Sequence, residues 1–406
     1  MRALYSPLDT PTVCVSDNNT SPAVGLFSRS KRMMKFPLRG ESSAALVSRP
    51  WDERASGTDW AQARGLKVAI QGSAPPYAIP KDDPEMAKIT REQVIPAWRR
   101  IAKRWGGHPA LLAYCPVEEI GDNADEGSTP TLDLLAELGR AVAAVDPIHP
   151  VTTTHIAMWY PVAAAEARIR GRNLGALVAD LYVFTAVHDW TPETSSWRTP
   201  EAAVAGYLDW NKRYAGLARS AQAPFWIVAQ GFGSDWTRKI GGKAITRPNS
   251  RMPSPAEMSF QVWASILSGT KGVIFFLYQS FQEPSAQTKA TLEEWETNVG
   301  MRTLRGEETS AYKGLVAVAA KLRGKHELLG RLVALGDIRE EGGLMLRRFE
   351  DPGDGAHYEV GLNPSFKEKR PAPKSWASAA AGSPPGSLGP GEGALLQIKP
   401  PGGLER

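Results

Sequence analysis

Cysteine is scarce in this sequence of 406 residues, which contains only Cys14 and Cys115. Two cysteines so far apart, in dissimilar surroundings, predict neither a disulfide framework nor a Cys/His metal site. The sequence also lacks an apolar run near the roughly 20 residues that a membrane-spanning helix needs. We therefore expect a chain without a membrane partner, a metal or another cofactor.

Signals for export and for nucleic-acid binding are weak as well. The first residues, MRALYSPLDT, lack the apolar core of a signal peptide. We expect the chain as written to be cytoplasmic, with secretion as the alternative if an export signal precedes it. The 48 basic and 43 acidic residues give a net charge of +5. A charge spread along the chain favours a solvated surface over a nucleic-acid partner. The sequence does not predict the oligomeric state.

Apolar segments alternate with amphipathic helices from about residue 58. In ITREQVIPAWRRIAKRWGGHP, Thr90 and Gln93 predict a capping box, and Gly106-Gly107 predicts the end of the helix. Further helices are predicted in TPTLDLLAELGRAVAAVDP, TPEAAVAGYLDWNKRYAGLARS and SPAEMSFQVWASILSG. Strands are predicted at 66–71, 110–117, 150–155, 180–186, 225–230 and 273–278. This alternation predicts a parallel sheet covered by helices.

Two architectures contain such a sheet, an open doubly wound sheet and a closed (β/α)8 barrel. No G-x-G-x-x-G or G-x-x-x-x-G-K-[ST] motif follows a predicted strand, so nucleotide binding lacks its usual support. We predict an α/β fold with a (β/α)8 TIM barrel over residues 58–330. Its first two strands are expected within residues 1–57, but that segment is poorly patterned, so we predict a barrel that is incomplete at its N-terminus. Short antiparallel strands in LMLRRFED, HYEVGLNPS and ALLQIKP predict a small C-terminal β-sandwich over residues 331–406.

Polar and aromatic residues recur at the carboxyl ends of the predicted strands, where active sites of parallel α/β folds form. Amides and imidazoles can hydrogen-bond sugar hydroxyls, and aromatic rings offer apolar faces on which sugar rings can stack. The combination predicts a carbohydrate site. The predicted substrate-binding residues are Gln71, Tyr77, His155, Trp159, His188, Trp190, Gln230, Trp236 and Tyr278.

Two adjacent carboxylates, Glu118 and Glu119, end the strand-like segment HPALLAYCPVEEIGDN. Neighbouring strand residues point to opposite faces, so one of the two can face a pocket. We predict that Glu119 is a general acid whose pKa is raised by burial, and that Glu118 binds backbone or a sugar hydroxyl. The alternative is that both cap the following loop. Hydrolysis needs a second carboxylate, for which Asp235 is the first candidate and Glu283 the second.

The segment HPALLAYCPVEE resembles the fourth-strand motif of the large clan of (β/α)8 glycoside hydrolases, including β-galactosidase-like proteins. PFWIVAQGFG and MPSPAEMSFQVWASILSGTKGVIFFLYQS are similar to the seventh strand, seventh helix and eighth strand of that clan. The resemblance covers about residues 58–285 and implies that Glu119 is the acid/base, with Glu118 at the position of a preceding Asn or Asp. It also implies that Gln230 stands where retaining members have a nucleophilic Glu, and an amide cannot act as that nucleophile.

Three functions are compatible with this pattern. The leading hypothesis is a glycoside hydrolase that cleaves O-glycosidic bonds in an oligo- or polysaccharide. The second is a catalytically inactive carbohydrate-binding barrel, which Gln230 favours. The third is a barrel enzyme with zinc held by His155, His188 and Glu119. The sugar, the linkage and the stereochemical outcome are not predicted by the sequence.

Overall fold

The computed structural model describes residue 62 and residues 67–71, 87–88, 90–117, 129–156, 174–188, 195–197, 199–240, 243–278, 280–284, 294–379 and 383–399. Two compact units are present. The first unit contains the described residues of 14–181 and 213–228, and the second unit contains those of 182–212 and 229–406. The predicted limits near residues 57 and 330 stay predictions.

The strands within these ranges are β1 (Val68–Gln71), β2 (Leu111–Val117), β3 (Val151–Ile156), β4 (Leu174–Leu181), β5 (Ala186–His188), β6 (Ser195–Trp197), β7 (Phe225–Gln230), β8 (Gly233–Ile240), β9 (Lys243–Ser250), β10 (Gly272–Phe276), β11 (Phe281–Pro284), β12 (Glu294–Val299), β13 (Val333–Glu341), β14 (Leu344–Glu350), β15 (His357–Leu362), β16 (Arg370–Pro371), β17 (Ser387–Leu388) and β18 (Gly393–Ile398). The helices are α1 (Ile95–Trp105), α2 (Thr129–Ala143), α3 (Pro200–Ser220), α4 (Pro255–Ser268), α5 (Ser310–Leu322), α6 (His326–Arg331) and α7 (Lys374–Ala379).

The first unit is built on parallel strands covered by helices, as predicted. Strands β1, β2, β3 and β4 pair in that order, and each pair is parallel. Helices α1 and α2 bury their apolar faces against these strands in one core, which includes Trp98, Tyr114, Leu138 and Val151. Burial of these large side chains is the main source of stability for such a layer.

The α-helix predicted to begin with a capping box at Thr90 and Gln93 begins later in the structure. Thr90–Val94 forms a π-helical turn, and α1 begins at Ile95 without a side-chain cap. Pro96 lies in the first turn of α1 and has no N–H to donate to a preceding carbonyl. Regular α-helical hydrogen bonding therefore starts only at the turn that contains the proline.

The strand predicted at 180–186 is displaced, because β4 spans Leu174–Leu181. The register explains the limit, since Asp180 lies opposite Ile156, the last residue of β3. Val183 and Phe184 are buried although they lie outside a strand. The apolar character of this segment therefore reflects burial of irregular backbone.

Strands β1 to β4 of the first unit form an open parallel sheet. The predicted closed barrel is therefore not observed among the described residues. The expected first strands fall in residues 1–57, which lie outside the described residues.

The second unit contains two further antiparallel sheets of four strands. One has the order β11-β12-β8-β9, and the other has the order β13-β14-β15-β18. In the second of these, Arg347 on β14 donates to the carbonyls of Leu267 (3.2 Å) and Ser268 (3.1 Å), the last residues of α4. A cation at a helix C-terminus is favoured by the helix dipole, so Arg347 ties this sheet to α4.

The antiparallel strands predicted at the C-terminus are confirmed, whereas a β-sandwich is not. One face of the sheet packs on Trp376 of α7 and on Leu388 of the two-stranded β16-β17 sheet. Gly361 is required at this contact because a Cβ would overlap the Trp376 ring.

Candidate active site

Gln230 is the last residue of β7, and its side chain is fully buried. Its Oε1 accepts a hydrogen bond from the Phe184 N–H at 2.9 Å. Its Nε2 donates to the carbonyls of Phe232 and Arg251, both at 3.0 Å. Both amide protons and the amide oxygen are therefore engaged by backbone groups, which favours a structural role; contact with sugar stays a prediction.

A second buried amide, Gln261 on α4, binds the backbone of Gln230. The Gln230 N–H donates to Gln261 Oε1 at 2.8 Å, and Gln261 Nε2 donates to the Gln230 carbonyl at 2.9 Å. Gln261 is also fully buried. Helix α4 therefore holds the backbone of the residue with which β7 ends.

An ion pair between Arg251 and Glu257 lies at the start of α4. Arg251 Nη1 donates to Glu257 Oε2 at 2.7 Å, and Nη2 donates to Glu257 Oε1. Glu257 also accepts from the Ser254 N–H in a capping box. The Arg251 guanidinium lies 4.8 Å from the centre of the Phe184 ring. The segments after β4 and before α4 are thus joined through side chains as well as through Gln230.

Asp235 and Trp236 lie on β8, which forms a hairpin with β9. Both side chains are exposed, Trp236 at 37%. As neighbours on one strand they point to opposite faces of the sheet, so a ligand lying on one face contacts only one of them. The sequence carries a signal for this hairpin, since GSDWTRKI and KAITRPNS are separated by Gly241-Gly242, a pair typical of hairpin turns.

Tyr278 follows β10 and is partly buried. Its ring centre lies 6.4 Å from that of Tyr312. The Arg302 guanidinium lies 4.8 Å from the centre of the Tyr312 ring, and Arg302 Nη2 donates to Glu308 at 3.0 Å. Tyr278 is thus part of an aromatic and cationic cluster, and its predicted sugar contact stays a prediction.

His155 and Asp180 lie on neighbouring strands of the first unit, and both are buried. Val151 packs in the core with α1 and α2, and His155, four residues further along β3, shares its face by strand alternation. This placement favours a structural role for His155. Asp180 lies opposite Ile156 and hence on the other face. Asp180 was not predicted, although a carboxylate in the apolar strand LGALVADL is a visible signal.

Five predicted site residues lie outside the described residues: Tyr77, Glu118, Glu119, Trp159 and Trp190. Strand β2 ends at Val117, directly before the glutamate pair. Gln71, His188 and Glu283 are described as backbone positions in β1, β5 and β11. The roles assigned to all eight residues stay predictions.

Groups of three or more His, Cys, Asp or Glu residues that could hold a metal ion are absent from the part of the chain that the structure describes. The predicted zinc site includes Glu119, outside that part, and stays a prediction. Among the described helices, none has the length and apolar character needed to cross a bilayer.

No protein-family model matches the chain, and no curated protein sequence matches it. Several solved structures do match the chain. A cold-adapted β-galactosidase from Rahnella sp. R3 has a TM-score of 0.50 and 11% identity over 70% of this chain and 50% of that chain. The β-galactosidase of the psychrophilic Marinomonas ef1 has a TM-score of 0.49 and 12% identity over 72% and 56%. Endo-glycoceramidase II from Rhodococcus sp. has a TM-score of 0.42 and 13% identity over 90% and 83%.

The similarity defines a fold class. The chain is similar in fold to TIM-barrel glycoside hydrolases, and its parallel strands β1–β4 agree with that class. The chain spans about half the length of the two β-galactosidases. At these identities the likeness identifies the fold alone.

Proposed function

We propose that the chain is a glycoside hydrolase that cleaves O-glycosidic bonds in an oligo- or polysaccharide, with Glu119 as the general acid. One observation carries the proposal. The fold is similar to that of a β-galactosidase, and β2 ends at Val117, two residues before Glu119. In parallel barrels the residues that follow a strand carry the chemistry.

In the proposed reaction, Glu119 gives its proton to the leaving glycosidic oxygen. A second carboxylate either attacks the anomeric carbon or removes a proton from attacking water. Gln230 cannot fill that role, because its amide protons are donated to backbone carbonyls. Asp235, exposed on β8, is the proposed second carboxylate.

The test compares the wild-type chain with Glu119→Gln on aryl β-galactosides and aryl β-mannosides. Loss of a general acid lowers kcat/KM by roughly 10²–10⁴-fold. We expect the loss to grow as the aryl leaving group becomes more basic, because a poor leaving group depends most on protonation. Glu137→Gln is the matched control, since Glu137 lies on the surface of α2 and pairs with Arg91. Equal rates in wild type and Glu119→Gln reject the assignment.

A second function, glycan binding without cleavage, is favoured by the buried amide of Gln230 at the end of β7. Calorimetric titration with oligosaccharides, followed by analysis of the recovered sugar, separates the two. Saturable binding with intact oligosaccharide supports the binding protein. Release of shorter sugars by wild type, lost in Glu119→Gln, supports the hydrolase.

A further inference from the structure

The carboxamide of Gln230 connects three segments of the second unit. Its partners are the N–H of Phe184, 46 residues away, and the carbonyls of Phe232 and Arg251, 2 and 21 residues away. Phe184 follows β4, Phe232 follows β7 and Arg251 precedes α4. We propose that Gln230 is a structural residue whose carboxamide holds these three segments together as a clamp, and that only an amide can do so.

The hydrogen-bonding requirements of the three partners explain why an amide is needed. Phe184 offers a donor, so it requires an acceptor, while Phe232 and Arg251 offer carbonyl acceptors and require two donors. A glutamine side chain supplies one acceptor and two donors. A carboxylate supplies acceptors only, and it would place negative charge against two carbonyl oxygens. A protonated carboxylic acid restores one of the two donors.

The side chain of Gln230 cannot rotate toward solvent. The N–H and the carbonyl of Gln230 are both held by Gln261, so the backbone of residue 230 is fixed. Phe232 is buried, and its ring lies 5.1 Å from that of Tyr182 and 5.3 Å from that of Phe276, centre to centre. The side chain at residue 230 therefore stays directed into the protein.

A consequence for catalysis rests on the proposed function. A side chain directed inward and bound on all sides does not reach an anomeric carbon. No glycosyl–enzyme bond therefore forms at residue 230, even when that residue is changed to an acid. Hydrolysis by this chain must draw its second carboxylate from another position.

The experiment measures thermal unfolding of Gln230→Glu at two pH values, with no substrate present. A buried carboxyl facing two carbonyls has a folded pKa above its unfolded value of roughly 4.3. Its destabilising effect is therefore small below that value and grows as the pH rises toward the folded pKa. We expect Tm to fall by about 5 °C or more at pH 7, and by about half as much or less near pH 4.

Two further variants complete the design. Gln397 lies exposed on β18, so Gln397→Glu is the matched amide-to-acid control, and we expect its Tm to stay within about 1 °C of wild type. Gln230→Met removes all three hydrogen bonds without adding charge. We expect its Tm to fall by a similar amount at both pH values, and this variant carries the test if Gln230→Glu does not fold.

Three results would overturn the clamp. The first is a wild-type Tm in Gln230→Met, and the second is a Gln230→Glu variant whose Tm is unchanged at pH 7. The third is a gain of aryl-glycosidase activity, or of covalent labelling by 2-deoxy-2-fluoro glycosides, in Gln230→Glu. Because the unfolding measurements need no substrate, an inactive wild type refutes the hydrolase proposal without affecting the clamp.

Discussion

Two buried polar networks, one in each unit, differ in their charge. In the second unit, Gln230 and Gln261 are neutral and bind each other and backbone groups. In the first unit, the network has a carboxylate, Asp146, at its centre. The Tyr114 hydroxyl donates to Asp146 Oδ2 at 2.6 Å, and His149 Nδ1 lies 2.8 Å from the same oxygen.

The surroundings of Asp146 favour its ionised form. Burial opposes ionisation, but the hydrogen bonds from Tyr114, from His149 and from the N–H groups of Ile148 and His149 outweigh it and hold the pKa of Asp146 below its usual range. Burial and the same carboxylate raise the pKa of Tyr114. Asp146 and His149 lie before β3, at the amino end of that strand, and Tyr114 lies on β2.

The two networks are similarly buried but should respond differently to pH. Asp146 is 4% exposed and Gln230 is 0% exposed, so solvent access does not distinguish them. A neutral amide network takes up no proton in mild acid, whereas a carboxylate with a lowered pKa loses its contribution to stability as the pH falls below its unfolded pKa of roughly 3.9. The first unit should therefore respond to acid through Asp146, and the amide network should not.

The largest expected effect is that of Gln261→Leu. The variant leaves the N–H and the carbonyl of Gln230 buried without their partners. Each of the two unsatisfied groups costs roughly 1–3 kcal/mol, so unfolding should require about 2–6 kcal/mol less free energy. Denaturation with urea at several pH values between about 5 and 8 checks the size and its independence of pH. A loss that changes with pH would contradict the description of this network as neutral. Gln397→Leu, at an exposed site, is the control.

Features set by near neighbours in the sequence were predictable. Helix α4 begins at Pro255 as predicted from SPAEMSFQVWASILSG, with Ser254 as its cap and Gly269 at its end with φ 87°. Strands β2, β3 and β7 lie within one residue of their predicted limits. Local propensity and capping chemistry are sufficient for such elements.

Features set by distant contacts were not predictable. The partners of Gln230 lie up to 46 residues away. The sequence around Gln230 therefore shows a polar residue at a strand end, but it does not show that all hydrogen-bonding groups of the side chain are occupied. For the same reason the end of β4 depends on the register with β3. The candidate acid Glu119 was proposed from a motif, and its place in the structure lies outside the described residues.

An intermediate effect is expected for Asp146→Asn, and unlike that of Gln261→Leu it should depend on pH. The folded pKa of Asp146 is lowered, so its contribution to stability is present above its unfolded pKa of roughly 3.9 and is lost as the pH falls through the folded value. The variant should lose about 1–3 kcal/mol at pH 7, and progressively less below about pH 4.

Urea denaturation of wild type and Asp146→Asn across that pH range gives the measurement. Asp133→Asn, at an exposed position of α2, controls for the change in net charge. A constant difference between wild type and Asp146→Asn at all pH values would contradict the ionic description of the network. Asp146 would then contribute to stability through its shape and packing.

The smallest effect is expected for Glu137→Gln, which tests whether a carboxylate contributes to stability through its charge alone or only when it is buried. Glu137 Oε2 lies 3.0 Å from Arg91 Nε, but these side chains are 38% and 55% exposed. Exposed pairs are screened by solvent and contribute roughly 0–1 kcal/mol, so the loss should stay below about 0.5 kcal/mol and shrink further in concentrated salt. A loss as large as that of Asp146→Asn would mean that charge matters regardless of exposure. A negligible loss would mean that the contribution of Asp146 to stability depends on its burial and on the hydrogen bonds it accepts inside the protein.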